Sequence, residues 1–185
     1  MNKEEIADYL KKGAEARLAT DIENVLEIGT ILSKFLIKGS KLLIFGNGGS
    51  AADAQHIAAE LVGRFEKERR PLFALALHGN TSSLTAIAND YGYDYVYARQ
   101  VEAFANKGDI VIGISTSGNS KNIINAMKKA KELSCIVIGM TGNSKCSMDE
   151  VSDYIFKASS NRTSIIQEQH ITVGHIWSKI IEDSI

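Results

Sequence analysis

The chain has 185 residues, a length that suits one domain with a sizeable core. Hydrophobic residues make up 44% and charged residues 23%, and a single proline argues against a Pro-rich linker or a disordered tail. The net charge of −1 provides no basic excess, so we expect no nucleic-acid partner.

The N-terminus and the cysteines also exclude several classes of protein. Residues 2–5 are polar or charged, and no apolar stretch of signal-peptide or membrane-spanning type follows. Cys135 lies in an apolar run and Cys146 in a polar loop, a pattern that predicts neither a disulfide framework nor a Cys-x-x-Cys metal site. We therefore expect a cytoplasmic protein with no membrane partner.

Two amphipathic helices are predicted before the first strand. Apolar residues at spacings of three and four indicate helices over 3–18 and about 21–38, and Asp21 is a candidate N-cap for the second. We expect this helical hairpin, residues 1–38, to pack on the remaining domain, residues 39–185, and on other subunits.

The rest of the chain alternates between strands and helices. Short continuous apolar runs predict strands at 42–45, 74–77, 110–114, 135–140 and 154–156. Helical segments separate them at roughly 50–66, 82–91, 94–106, 120–133 and 164–183. Continuous apolar strands are typical of a parallel sheet covered on both faces. The predicted fold is therefore α/β, a single domain with an open, mostly parallel five-stranded sheet flanked by helices.

Two loops are rich in glycine or hydroxyl residues. Residues 46–50 read Gly-Asn-Gly-Gly-Ser after the first strand, and residues 115–120 read Ser-Thr-Ser-Gly-Asn-Ser after the third. Both precede a helix at the carboxyl end of a strand, where open sheets hold ligands and helix N-termini favour anions. Turn formation and capping would explain the first loop equally well. Four hydroxyl residues in six favour a phosphate site at the second.

A second group of residues offers metal ligands. His56 and Glu60 are four apart on one helix, and Gln167 and His175 are eight apart on the last helix, which is roughly 12 Å along its axis. Both could reach one metal, or one of them could reach a site on another subunit. Nitrogen and oxygen ligands of this kind suit zinc. A surface His–Glu pair is the simpler alternative, and His170 is by periodicity as good a ligand as His175.

Longer segments closely resemble a known family. Residues 46–56, 60–65, 88–90, 115–120 and 166–170, together with His175, are similar to the phosphoheptose isomerases, which belong to the SIS (sugar isomerase) proteins. The resemblance runs through nearly the whole chain in order and without large gaps. It implies a SIS-type domain and an enzyme that interconverts sedoheptulose 7-phosphate and D-glycero-D-manno-heptose 7-phosphate, for lipopolysaccharide core or surface glycans.

The resemblance also implies the site. One Zn²⁺ per subunit would be bound by His56, Glu60, Gln167 and His175. Contacts to the sugar phosphate would come from Asn47, Gly48, Gly49, Glu60, Asn89, Asp90, Ser115, Thr116, Ser117, Ser120 and Gln167. Family members form tetramers with active sites at subunit contacts. We therefore expect a homo-oligomer, a tetramer, in which each site is built from more than one chain.

An aldose–ketose isomerase moves a proton between C1 and C2 of the open-chain sugar. We expect Glu60 to be the base and His175 to move a proton at the sugar oxygens or to assist ring opening, with zinc polarising the carbonyl. One alternative is an isomerase of another phosphosugar. The other is a non-catalytic SIS module that binds the replication initiator, as some relatives do; the presence of Glu60, Gln167 and His175 favours the enzyme.

Overall fold

The computed structural model describes residues 1–185, and one five-stranded sheet lies at its centre. Its strands are β1 (Leu42–Gly46), β2 (Ala74–Ala76), β3 (Ile110–Ile114), β4 (Ile136–Thr141) and β5 (Tyr154–Lys157). They lie in the order β2-β1-β3-β4-β5, and every pairing is parallel. The predicted α/β class and the five strands are confirmed.

Helices cover both faces of this sheet. They are α1 (Lys3–Leu18), α2 (Ile22–Leu36), α3 (Gly49–Val62), α4 (Thr81–Tyr91), α5 (Val96–Phe104), α6 (Lys121–Glu132), α7 (Met148–Val151) and α8 (Thr163–Asp183). Helices α2, α3 and α8 pack on one face, and α5, α6 and α7 on the other. None of the helices combines the length and apolar character that a membrane span needs.

The apolar strands are explained by this double cover. In β1, Leu42 and Ile44 point into one core and Leu43 and Phe45 into the other, and all four are buried. A strand with helices on both faces has no solvent side, so its sequence does not alternate. Burial on both faces removes the period-two alternation of a half-exposed strand, and it leaves the continuous apolar runs by which these strands were recognised in the sequence.

The N-terminal helices pack on α8. The Asp21 carboxylate accepts the Asn24 N–H at 3.1 Å, which confirms it as the N-cap of α2. On α8, Glu168 accepts hydrogen bonds from Tyr9 at 2.6 Å and from Arg17 at 3.2 Å. These contacts attach α1 to α8, the helix whose first turn lies at the carboxyl ends of the strands.

A buried carboxylate ends α3 earlier than predicted. The predicted helix over 50–66 stops at Val62, because the next residues turn back toward α8. There the Glu182 carboxylate accepts the backbone N–H groups of Phe65, Glu66 and Lys67 at 3.1, 2.8 and 2.8 Å. Residues 65–67 therefore satisfy their donors through α8 and not through another helical turn.

Arg69 completes this contact. Its Nε lies 3.7 Å from Glu182, and its terminal nitrogens donate to carbonyls at the end of α3, including that of Glu60 at 2.6 Å. Burial alone would raise the pKa of Glu182, but the three N–H donors and the charge of Arg69 outweigh it and hold this pKa below its usual range. The loop after α3 is thus fixed to the end of α8 by a buried charge.

Replacing Glu182 by Gln should lower the free energy of unfolding by roughly 3 kcal/mol at pH 7, since it leaves Arg69 without its buried partner. The neighbouring change Asp183→Asn breaks exposed ion pairs with Lys67 and Lys179 and should cost much less. Urea denaturation of both variants measures the difference. Equal effects of the two changes would contradict the assignment.

The unmodified chain and Glu182→Gln should also differ in how their stability depends on pH. Because the folded-state pKa of Glu182 is lowered, its stabilisation is fully present above the ordinary glutamate value of about 4.3 and is lost as the pH falls through the lowered value. The stability gap between the unmodified chain and Glu182→Gln should therefore narrow in acid. A stability difference that stays constant down to the pH of acid unfolding would refute the lowered pKa of Glu182.

Candidate active site

The topology places the two ligand loops side by side. The chain runs from β1 outward to β2 and returns to β3 on the other side of β1, so the strand order reverses between β1 and β3. Ligands bind at such a switch point in open α/β sheets. Gly46 at the end of β1 is in register with Ile114 at the end of β3. The loops that follow, residues 46–50 and 115–120, leave the sheet as neighbours.

A cavity of about 280 Å³ lies at this point. No positively charged side chain lines it, and its walls carry hydroxyl, amide and backbone groups. The lining residues are Asn47, Gly48, Gly49, Ser50, Ile114, Ser115, Thr116, Ser120, Thr163 and Gln167. Ser115 Oγ lies 3.0 Å from Ser120 Oγ and 3.4 Å from Ser117 Oγ, so the predicted hydroxyl cluster converges.

The backbone around this cavity offers unused donors. The N–H groups of Gly48, Ser120 and Lys121 donate to no acceptor within the protein. Ser120 occupies the N-cap position of α6, yet its hydroxyl does not cap the helix. Free N–H groups and the positive end of the helix dipole together favour an anion. The cavity is therefore suited to a phosphate, held by neutral donors.

Gln167 reaches the first loop because residue 49 is glycine. A Cβ at Gly49 would lie 2.6 Å from Gln167 Nε2, closer than side chains tolerate. The first turn of α8, which carries Thr163, and the first turn of α3 therefore meet at the cavity. Gln167 belongs to the cavity wall, and its role as a metal ligand stays a prediction.

Two turns further along the same helices, three potential metal ligands meet. His56 Nε2 lies 3.1 Å from Glu60 Oε1 and 3.3 Å from His175 Nε2. One ligand atom of each residue lies within 4.8 Å of the others. A surface His–Glu pair alone would not place a second imidazole nitrogen at this point. We refer to His56, Glu60 and His175 as the His–Glu–His cluster.

The cluster fits zinc in chemistry and in spacing. Imidazole nitrogen and carboxylate oxygen are both zinc ligands, and catalytic zinc sites commonly use three protein ligands. Tetrahedral ligands about 2.0–2.1 Å from the metal stand about 3.3 Å from one another. The two imidazole nitrogens are 3.3 Å apart, which matches this spacing. The donor set of the chain is thus compatible with one Zn²⁺.

Neighbouring side chains hold the cluster in place. The Phe65 ring stacks on His175 with centroids 5.6 Å apart, and Phe65 is fixed through its N–H to Glu182. Gly174 precedes His175, and a Cβ there would lie 2.6 Å from Ile57 Cγ1, next to His56. Helices α3 and α8 are therefore in close contact beside the two histidines.

Asp53 is an acidic group near the cluster that the sequence did not single out. It lies on α3, one turn before His56, and its Oδ2 is buried without a hydrogen-bond partner. Burial raises the pKa of Asp53 to about 6, and the charge of His56 partly opposes the rise. The pKa of a carboxyl group close to the cluster is therefore well above its ordinary value.

The structure distinguishes between His170 and His175, which the periodicity of the sequence could not. His170 is fully buried, and its Nε2 donates to the Thr141 carbonyl at 3.1 Å. Burial lowers the pKa of His170 to about 4, with the hydrogen bond to Thr141 opposing the change. His170 is part of the core, whereas His175 contacts His56.

Other predicted residues lie outside the cavity. Asn89 and Asp90 are hydrogen-bonded to each other on the exposed last turn of α4 and do not line it. Ser117 lines an adjoining cavity with Thr116. Thr163 lines both this cavity and the adjoining one but was missed. Its signal was the hydroxyl-rich segment 159–164 before a helix, which repeats the pattern of residues 115–120.

The structure bears on a question about assembly that the sequence left open. The sequence left open whether Glu60 and His175 of one site come from different chains, since Gln167 and His175 are far apart along one helix. Within a single chain, α3 and α8 bring His56, Glu60 and His175 together. Gln167 lines the cavity, and its role as a fourth ligand beside this cluster stays a prediction. Mixed oligomers of Glu60 and His175 variants should therefore not regain activity by complementation.

Known proteins resemble this chain along nearly its whole length. A family model described as SIS domain matches residues 5–142. A protein of Thermoplasma acidophilum named probable phosphoheptose isomerase is 55% identical over 95% of this chain and 96% of its own. The phosphoheptose isomerase of Aquifex aeolicus is 46% identical over 98% and 97%. The solved phosphoheptose isomerase structure from Francisella tularensis superposes with a TM-score of 0.93 at 33% identity, covering 99% of this chain and all of that one.

The cluster makes a prediction about metal content. Purified protein loaded with Zn²⁺ and then dialysed should retain one ion per chain, and His175→Ala should lose it because the cluster keeps only two ligands. His78→Asn is the matched control, since His78 follows β2 and lies outside the cluster. Elemental analysis measures the stoichiometry. Retention of the ion by His175→Ala, or its loss from His78→Asn, would contradict the assignment.

Proposed function

Because the chain belongs to the SIS domain family and within it to the phosphoheptose isomerases, which are sugar-phosphate isomerases, we propose that its substrates are sedoheptulose 7-phosphate and D-glycero-D-manno-heptose 7-phosphate. One observation carries this proposal. The anion-binding cavity and the His–Glu–His cluster are built on the same two helices, α3 and α8, about two turns apart. A sugar phosphate whose phosphate is bound in the cavity would direct the far end of its carbon chain toward the cluster.

Binding at the phosphate end would position the reacting carbons. The phosphate of a heptulose 7-phosphate is at the opposite end of the carbon chain from C1 and C2, where an aldose–ketose isomerase acts. Gly49 and His56 are seven residues apart on α3, or about 10 Å along its axis. A ketose phosphate with fewer carbon atoms would hold C1 and C2 closer to the cavity and farther from the cluster. The spacing therefore favours a long sugar phosphate, and positioning of this kind supplies much of the rate.

Glu60 is the proposed base. Its Oε1 faces His56, whereas Oε2 makes no hydrogen bond in the protein, so one carboxylate has an oxygen for a metal and another for a proton. In the ketose-to-aldose direction, Glu60 would remove a proton from C1 and return it to C2 on the same face of the enediolate. Metal coordination through one oxygen also weakens the basicity of the other, so this role requires a weak or transient contact between Glu60 and the metal.

His175 is the proposed second catalytic group. Its Nε2 faces the cluster, and its Nδ1 makes no hydrogen bond. It would move a proton between the sugar oxygens or assist ring opening, with Phe65 fixing the plane of its ring. His56, Glu60 and His175, with Gln167 as the proposed fourth ligand, would hold a Zn²⁺ ion. That ion would supply a Lewis acid for the carbonyl oxygen.

We also propose a cytoplasmic homotetramer whose product serves activated-heptose synthesis for lipopolysaccharide core or surface glycans. Support for assembly comes from apolar surface that one chain leaves open. Ile22, Leu26 and Ile176 line a groove between α2 and α8, and Tyr91, Tyr93 and Tyr95 are each about half exposed at the end of α4. Patches of this kind on a small domain are typical of subunit contacts.

Direct turnover tests the substrate. The zinc-loaded protein should convert sedoheptulose 7-phosphate to the aldose, and a chelator should remove the activity, with the product followed by NMR. Fructose 6-phosphate and ribulose 5-phosphate are the matched controls and should react much more slowly, because their shorter chains do not span cavity and cluster. Faster turnover of either control would overturn the heptose assignment while leaving a sugar-phosphate isomerase.

Glu60→Gln should abolish isomerisation while keeping the fold. An amide cannot accept the proton from C1, and a general base contributes about 10²–10⁴ in rate. Glu66→Gln is the control, because Glu66 is exposed and outside the cluster. The zinc content of both variants should be measured beside kcat. Turnover by metal-loaded Glu60→Gln within about tenfold of the unmodified enzyme would assign the base to another residue.

A further inference from the structure

A buried asparagine joins the two ligand loops. Asn122 lies in the first turn of α6, directly after the hydroxyl loop, and only 3% of it is exposed. Its amide pairs with that of Asn47 in the first loop through two hydrogen bonds. Asn47 Nδ2 donates to Asn122 Oδ1 at 3.0 Å, and Asn122 Nδ2 donates to Asn47 Oδ1 at 2.9 Å.

The orientation of both amides follows from one backbone group. The Ile123 N–H donates to the Ser120 carbonyl at 3.1 Å and also lies 3.0 Å from the Asn122 side chain; since an N–H can only donate, the atom facing it is the oxygen. Asn122 Nδ2 must then point at Asn47, and Asn47 must present its oxygen in return. A flip of either amide would place like groups against each other.

This pairing decides what Asn47 can offer a ligand. Asn47 Oδ1 accepts from Asn122 and also from the Tyr93 hydroxyl at 3.3 Å, so its acceptor capacity is used. One hydrogen of Asn47 Nδ2 goes to Asn122 and the other is free. Asn47 lines the cavity, so it faces the ligand as a donor. Donors select oxygen atoms such as those of a phosphate or a sugar.

The geometry assigns Asn122 as a positioning residue of the ligand site: it fixes the Asn47 amide as a hydrogen-bond donor and holds the two ligand loops together. This inference rests on the proposed sugar-phosphate site. Asn122 does not line the cavity, so its effect on the ligand passes through Asn47. If Asn122 had a purely structural role, its replacement would lower stability, and any change in ligand affinity would not depend on the presence of Asn47.

A double-mutant cycle on ligand affinity tests the inference. Dissociation constants for sedoheptulose 7-phosphate and for inorganic phosphate would be measured by calorimetry on Asn47→Ala, Asn122→Ala and the double variant. Each single change should weaken binding about tenfold, the value of one hydrogen bond. The double variant should be no weaker than the singles, because both changes remove the same contact. A double variant weakened about a hundredfold would mean that Asn122 acts independently and would overturn the inference.

Asn125→Ala is the matched control. Asn125 is on the same helix, one turn further, and donates to the Asp94 carbonyl at 3.0 Å without touching Asn47. It also loses one amide hydrogen bond, yet binding should stay within about twofold of the unmodified chain. Equal weakening by Asn125→Ala and Asn122→Ala would assign the effect to helix α6 in general and overturn the inference.

An isosteric variant covers the case in which Asn122→Ala does not fold. Asn122→Asp keeps an acceptor for the Ile123 N–H, and an acidic residue is favourable in the first turn of a helix. Its second oxygen would face Asn47 Oδ1, so the hydrogen bond that Asn122 Nδ2 donates is lost and the two oxygens repel, which disturbs the orientation of the Asn47 amide. Binding of the phosphate should weaken at least tenfold, and unchanged affinity would overturn the inference.

The two ligands separate this inference from the proposed function. If the unmodified chain binds inorganic phosphate but not sedoheptulose 7-phosphate, the heptose assignment fails, and the cycle on phosphate still decides the role of Asn122. If both bind and Asn122→Ala binds as well as the unmodified chain, the inference fails and the proposed function stands. Binding of neither ligand would overturn both.

Discussion

The close approach of α3 and α8 is the physical constraint on which the site depends. Two glycines permit it, one at each end of the contact. Gly49 leaves room for Gln167 at the cavity, and Gly174 leaves room for Ile57 beside the histidines. A side chain at position 174 would meet Ile57 and push the helices apart, and one at position 49 would displace the Gln167 amide from the cavity. Both the cavity wall and the His–Glu–His cluster draw residues from each helix, so a wider spacing would disrupt both.

The rest of the fold serves this helix pair. The strand order opens the sheet between β1 and β3, where α3 and α6 begin. A buried Glu182 ties the end of α3 to the end of α8 and fixes Phe65 against His175. At the other end, Asn122 fixes Asn47. Neutral donors with fixed directions can hold a phosphate without a basic side chain, which explains how a chain of net charge −1 can recognise an anion.

Much of the fold could be predicted from the sequence, because long periodic segments have one dominant pattern. Seven of the eight helices and all five strands were predicted, whereas the four-residue α7 was missed and boundaries such as the end of α3 were wrong. Residues that act across the tertiary structure could not be assigned. His170 and His175 lie on a helix buried on more than one side, so periodicity does not distinguish core from site. Glu182 and Asn122 resemble ordinary polar helix residues until their buried partners are known.

Zinc affinity of Gly174→Ala tests the helix-contact account most directly. The added Cβ would meet Ile57 and push His175 from His56, although position 174 touches no ligand. The account predicts a folded protein whose zinc affinity falls by about 10–100-fold, the range for groups that position ligands. Adding Ile57→Ala should recover much of the loss by making room. Unchanged zinc affinity in folded Gly174→Ala would contradict the claim that this contact sets the site.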